Sequence, residues 1–478
     1  MTGKHLTRRS MLKLAGLSLF GAAVAACGGT PAPTATPAKP AAEPTKPVAA
    51  ATPAPAAKGI VLKGMMWGGS QRDEQRDAAL RAVYPDLPKV EFVVGGSGDF
   101  EVANTLRLAL ASGDKNNIPD IVQFNKTQVP EFAIAGELMD LGDIYDKYKN
   151  DIYAGVAEVC QYDKKWVGFP LQLKSKLFYY RGDMFEKAGI KTSDIKTTAD
   201  FITVGKAFHE KFPNSYIINM GPQPAGYFGW EIYSAYDNAR FADPDGKWVV
   251  ANAQWFNDGF KFFKDILDNK ISLPIEDFST DWQKGFKENA IAGSLIAQWM
   301  ANFLPTYVPD QKGLWKYELW PVFQPMADQR YGSDAAGSLK VIFKKCPHPK
   351  EAADYMTKWA LDKTGVLAVA KGQGLTPMIK SAKDEFIAWT KKGEKPPALT
   401  DAQWQVYPSN FFGPDYYEVE FKSYDYLKSF VYDPSATKEK PILDQWLNKY
   451  LTGAVGLAEA LKNAEADMKQ QIGNPYKI

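Results

Sequence analysis

The sequence predicts an α/β body in which short, mostly parallel strands alternate with helices, and two observations carry that prediction. Apolar runs too short for buried helices recur between segments whose apolar residues follow a helical stripe, and the stretch from Ala382 onward shows the helical pattern alone. Ile60–Trp67 reads as the first strand, with Gly68-Gly69-Ser70 turning into a helix over Asp73–Val83. Val90–Val94 is a second strand. A helix over Phe100–Ser112 then places Val102, Leu106 and Leu110 on one face. Pro119–Phe124 is a third strand, followed by a helix through Phe132. After Pro170, Lys176–Tyr180, Tyr216–Met220 and Gly293–Trp299 read as strands, with helices Asn257–Asp268 and Thr280–Asn289 between them. Lys340–Phe343 is a late strand before helix Pro349–Leu361, and Gly456–Gln471 closes the chain as a helix. The 478 residues suffice for two or three domains with substantial cores.

The first 58 residues are of another kind. Thr7-Arg8-Arg9-Ser10-Met11-Leu12-Lys13 resembles the twin-arginine export motif. An apolar run from Leu14 to Ala26 follows and ends at Val24-Ala25-Ala26-Cys27, which resembles the bacterial lipobox. The run is short for a bilayer span and has the charged-then-apolar order of a signal peptide. The expectation is a signal peptide over 1–26, lipidation at Cys27, and a mature protein outside the cytoplasm, lipid-anchored to the cell membrane. From Gly28 to Lys58 the chain is nearly all Pro, Ala and Thr, a composition unable to bury enough surface to offset its ordering entropy. As polyproline helix it would extend to ~90 Å, a tether over 27–58 for the folded body.

Loss of Lys4, Arg8, Arg9 and Lys13 with the signal turns 57 basic against 55 acidic residues into 53 against 55. Such a balance, with signs interspersed, gives no reason to expect nucleic acid as a partner. Cys160 and Cys346 remain, either paired or as two buried thiols. With His5 removed, His209 and His348 are too few for a multi-His metal site, and no His-based triad is indicated. No phosphate-cradling Gly-Lys-Ser/Thr loop occurs, and Gly95-Gly96-Ser97-Gly98 lacks dinucleotide-fingerprint spacing. No cofactor, metal or catalytic residue is expected.

Several blocks, taken in order, resemble the family-1 extracellular solute-binding proteins of ABC importers. They are Leu110-Ala111-Ser112-Gly113 with Pro119-Asp120-Ile121-Val122, Tyr162–Pro170, Leu177–Arg181, Gly332–Ser338 with Ala352-Ala353-Asp354-Tyr355, and Gly374-Leu375-Thr376-Pro377. Arg181 departs from the family's usual residues there. The resemblance implies a two-lobed, type II periplasmic-binding-protein-like fold, each lobe a mostly parallel sheet flanked by helices, with a helical C-terminal portion. Lobe 1 would comprise 59–172 and 328–375, and lobe 2 would comprise 173–327 and 376–478. It also implies a monomeric receptor that traps a sugar or other small polar solute by hinge closure and hands it to ABC permease subunits.

The residues expected at the cleft follow from strand ends and from that resemblance. Trp67 ends the first strand beside two glycines; it either offers an aromatic face to a sugar or packs in the core. Phe124, Asn125 and Gln128 follow the third strand, where hydroxyl recognition and a plain solvated turn both fit. Tyr227 or Trp230, in the Gly-flanked loop with Phe228, and Trp299 are the stacking candidates implied by the family. Gly337 and Ser338 offer backbone amides and a hydroxyl, Tyr416 or Tyr417 an aromatic wall, and Lys174 a donor near the hinge. Phe260, Phe262, Phe263 and Trp359 lie at helical spacing and belong to the core. Two alternatives stay open: a receptor for a polyol or sugar phosphate, and a secreted carbohydrate-active hydrolase or lyase using a carboxylate pair.

Overall fold

The computed structural model describes residues 59–221, 229–236, 238–319, 337–427 and 430–477. The chain divides into two compact units, Met1–Pro55 and Ala56–Ile478, and the described residues all lie in the second. The expected signal, Cys27 and tether, together with Tyr227, fall outside the described residues, as does the side chain of Trp230.

Two sheets organise the body. The first contains β1 (Val61–Trp67), β2 (Lys89–Gly96), β3 (Ile121–Asn125), β4 (Phe169–Gln172) and, from far along the chain, a strand over Ser338–Val341. The second contains β5 (Lys176–Arg181), β6 (Gly293–Ala297) and β7 (Trp315–Leu319), so Ser338–Val341 is β8. The orders are β2-β1-β3-β8-β4 and β6-β5-β7. Three residues, Leu173, Lys174 and Ser175, carry the chain from the end of β4 in one sheet to the start of β5 in the other. The molecule is thus the two-lobed α/β fold that the sequence implies.

Strand direction departs from expectation. β1 pairs parallel with β2 and β3, but β8 runs antiparallel to both β3 and β4. In the second sheet β5 is antiparallel to both neighbours, and a separate short pair, Ile218–Asn219 with Ser272–Leu273, is parallel. Alternating strands and helices reveal an α/β body, but direction depends on the end from which the chain re-enters a sheet.

β5 shows how one strand serves two cores. Its side chains alternate, so Leu177 and Tyr179 join one buried cluster while Phe178 joins the other. The first cluster runs from Leu62 and Val122 under the first sheet through Trp299 and Trp315 to Tyr416. The second gathers around α-helix Gln254–Asp268, where Phe256, Phe260 and Phe263 recur at helical spacing together with Phe262, and extends to Leu443, Leu461 and Met468 of the C-terminal helices. Phe260, Phe262, Phe263 and Trp359 are core residues, as expected. Cys160 and Cys346 are separate buried thiols, both pushed up to about 12 by burial. Among the described residues, no helix is long and apolar enough to cross a membrane.

Candidate ligand site

The carboxyl ends of β1 and β3 lie side by side because the strands are parallel, and β8 starts where β3 ends. Register pairs Ser338 with both Asn125 and Gln172. Trp67, Asn125, Ser338 and Gln172 therefore collect at one edge of the sheet, where open α/β sheets leave room for ligands.

Asn125 is the hub there. Its Oδ1 accepts from Lys174 Nζ and Ser338 Oγ, both at 2.8 Å, and its Nδ2 donates to Asp99 Oδ2 at 2.7 Å. Its backbone N–H donates to Gln128 Oε1 at 3.0 Å, and Gln128 Nε2 donates to the same Asp99 oxygen at 2.9 Å. Asp99 opens the helix Asp99–Ser112, where the helix dipole favours a carboxylate. Lys174 reaches inward from a backbone at φ 54°, a left-handed conformation that a long side chain rarely adopts. Its ammonium also lies 5.8 Å from the centre of the half-buried Trp67 ring. Four expected residues are thus hydrogen-bonded into one network, with Trp67 beside it and Asp99 added.

Other expected residues are placed differently. Phe124 is fully buried, stacked on Phe132 at 5.1 Å and edge-on to Phe343, so its ring belongs to the core. β3 is buried on both faces, and no alternation in its sequence distinguishes a cleft face from a core face. Gly337, at φ 87°, sits at a crossing of chains: a Cβ there would meet the Gln172 carbonyl oxygen and Val159, both at 2.9 Å. Its carbonyl accepts from the Lys126 amide at 3.1 Å. The Lys126 ammonium turns away to the Val159 carbonyl, and burial lowers its pKa to about 8.

Beyond Gln172 the network opens on a small pocket, about large enough for one water, walled in part by Gln298, Asn302, Thr376, Tyr416 and Glu420. Tyr416 is wedged against Phe412 and Tyr317, and its hydroxyl meets that of Tyr179 at 2.9 Å. Glu420 accepts from Thr376 Oγ1 at 2.5 Å and Tyr424 Oη at 3.0 Å, yet burial pushes its carboxyl up to about 7. Among the described residues, Gln298 Oε1 and Ser175 Oγ are buried with no hydrogen-bond partner, an arrangement that leaves polar groups ready for a guest.

The third part is aromatic. Trp299 lies in the 3₁₀ turn Gln298–Asn302 that follows β6, not in the strand itself, and is only 8% exposed. Its indole stacks on Phe278 at 5.3 Å with the planes 21° apart, and Phe303 stands edge-on at 5.6 Å. Phe278 is the exposed face of this stack, 47% accessible and held at φ 63°. Bulky residues rarely take that conformation, and strain of this kind collects at functional sites. Sequence reasoning missed Phe278 because it immediately precedes the helix-capping Ser279, where it reads as a helix entry. On the facing side, the guanidinium of Arg72, in the first turn of α1 (Gln71–Val83), lies 4.1 Å from the Phe303 ring centre.

A rim of amides and hydroxyls beside flat aromatic faces suits a hydroxylated ring compound. No group of three or more His, Cys, Asp or Glu among the described residues is arranged to hold a metal ion.

The chain is similar to known proteins over much of its length. The arabinooligosaccharide-binding protein of Bacillus subtilis (strain 168) is 22% identical over 279 residues, 57% of this chain and 62% of its own length. The protein of the same name from Halalkalibacterium halodurans is 21% identical over 409 residues, 81% of this chain and 84% of its own. Among solved structures, the ABC transporter associated binding protein of B. animalis subsp. lactis Bl-04, in complex with beta-1,6-galactobiose, superposes with a TM-score of 0.66 at 22% identity, covering 86% of this chain and 98% of that one. The family model described as bacterial extracellular solute-binding protein matches residues 85–400, and the chain belongs to that family.

Proposed function

We propose that the protein is the receptor of a sugar ABC importer, capturing an oligosaccharide between its two lobes and releasing it to membrane permease subunits. The observation that carries this reading is the Phe278–Trp299 stack, an exposed aromatic face near buried polar atoms that lack partners. A pyranose or furanose ring presents C–H faces to such a platform and hydroxyls to Gln298, Asn302 and the Asn125 network. Similarity to arabinooligosaccharide-binding proteins and to a galactobiose-bound structure supports a saccharide over other polar solutes.

Closure follows from the three-residue crossing between β4 and β5. A ligand touching Phe278 on one side and the Asn125 network on the other favours the state in which both contacts exist. The lobes divide in this reading at 59–172 with 328–375 and at 173–327 with 376–478. The protein acts as a monomer outside the cytoplasm, held to the membrane through lipid on Cys27, with residues 28–58 as its leash. It performs no chemistry on its ligand.

Titrating the purified protein with arabino- and galacto-oligosaccharides tests this. A rise in melting temperature with intact sugar recovered is the expected result. Shortened sugar in the mixture would replace the receptor with a hydrolase, and absence of binding to every saccharide would remove the assignment.

A further inference from the structure

Buried charge beside the aromatic face is unbalanced. Asp73 Oδ1 accepts from Lys340 Nζ at 2.5 Å and from Arg76 NH1 at 3.4 Å. Burial works against its ionisation, but Lys340 and Arg76 together hold its carboxyl below the usual range. Arg76 is further tied to Gln373 Oε1 at 2.8 Å. Asp73 is thus occupied by two cations, and Arg72 is a third on the same helix turn.

Arg72 makes no hydrogen bond and no ion pair with any described residue; its guanidinium lies over the Phe303 ring, with Tyr307 and Asp73 close enough to favour its charge. It is half-buried, and burial together with Arg76 lowers its pKa to about 10. Half-buried guanidinium donors without an acceptor are costly, and planar donors of this kind fit a carboxylate or phosphate in bidentate fashion. The adjoining loop leaves space for such a group, since a Cβ on Gly68 or Gly69 would meet nothing within 4 Å. Trp67 stands at the start of that loop.

We propose that the ligand carries an anionic group, a carboxylate or a phosphate, and that Arg72 binds it between α1 and Phe303. This deepens the saccharide-receptor reading and rests on it: the cargo is an acidic sugar, such as a uronic-acid-bearing oligosaccharide or a sugar phosphate. The ligand then offsets the surplus of Arg72, Arg76 and Lys340 over Asp73, a carboxylate in part and a phosphate more fully. Phe303 holds the guanidinium plane in place while its edge meets the anion.

The test is calorimetric titration of the full chain with matched pairs: arabinobiose, galactobiose, xylobiose and cellobiose, each beside its uronic- or aldonic-acid and phosphorylated counterpart. The expected result is that one acidic member binds at least about tenfold tighter than its neutral parent, with an advantage that shrinks between 50 and 300 mM NaCl. The carboxylate and phosphate arms identify which anion is preferred. Arg72→Gln should erase the advantage, and Arg72→Lys should retain part of it. Should Arg72→Gln fail to fold, the Lys variant and the wild-type salt dependence decide instead. Neutral sugars binding as well as acidic ones, with no effect of Arg72→Gln, would overturn the anion proposal and leave the receptor standing. Binding of no saccharide of either kind would overturn the receptor and the anion proposal together.

Discussion

The Asn125 network and the Asp73 group both hold residues of the first sheet, yet they are built on opposite electrostatic plans. Around Asn125, one carboxylate, Asp99, and one ammonium, Lys174, are joined through a neutral amide. Around Asp73, one carboxylate faces Lys340 and Arg76 directly, with Arg72 left over. The first is charge-balanced, so it acts as a frame on which a neutral ligand's hydroxyls can settle. The second has donors to spare, so it is where a ligand adds something the protein lacks.

Breaking the charged group should have the largest effect. Asp73→Ala leaves Arg76 and Lys340 buried without their counter-charge, and urea unfolding should show a loss of about 3–5 kcal/mol. A loss below 1 kcal/mol would mean that water reaches the group.

Glu420 sharpens the contrast through pH. Its carboxyl, normally near 4.5, titrates at about 7 in the folded protein. The folded state therefore holds its proton more tightly than the unfolded state does, and the associated stability is present below pH 4.5 and lost as pH rises to about 7. The loss is about 3 kcal/mol over that window. Asp444, raised to about 6, and the buried Glu439 slope in the same direction. The informative quantity is accordingly the difference between wild type and Glu420→Gln, which should grow from pH 4.5 to 7 in favour of the variant. A flat difference would show that the cavity solvates the carboxylate.

Removing the hub comes next. Asn125→Ala strands Lys174, Ser338 and Asp99 from their shared partner and should cost about 2 kcal/mol. An unchanged midpoint in urea would demote the hub from frame to ornament. Phe278→Ala should affect folding least, by under about 1 kcal/mol, because the ring is half exposed and its backbone strained. Saccharide affinity should fall about tenfold in the same variant, and equal affinity would take the stack out of the site.

The legible parts of this protein are those written in local pattern. β1, β2, β3 and β5 follow from short apolar runs, and the helix Gln254–Asp268 from its Phe spacing. Asn125, Gln128, Lys174 and Ser338 could be named from their places at strand ends and a crossing, but that they meet in one hydrogen-bonded network depends on pairings between distant segments that no local pattern shows. Phe124 was misplaced because a strand buried on both faces carries no alternation to read. Arg72 was invisible: an arginine in a first helical turn looks solvated until Phe303, from the other end of the fold, covers it. The antiparallel course of β6 and β7 was hidden for a related reason, since direction belongs to the path between elements and not to their residues.

The Phe278–Trp299 stack also makes the protein its own optical instrument. The indole is nearly sealed from solvent, while the ring lying on it is open. Any guest that settles on Phe278 changes the polarity one ring away from a natural fluorophore, so occupancy is readable as an emission shift without a dye. Trp299→Phe supplies the blank that separates this signal from the other tryptophans.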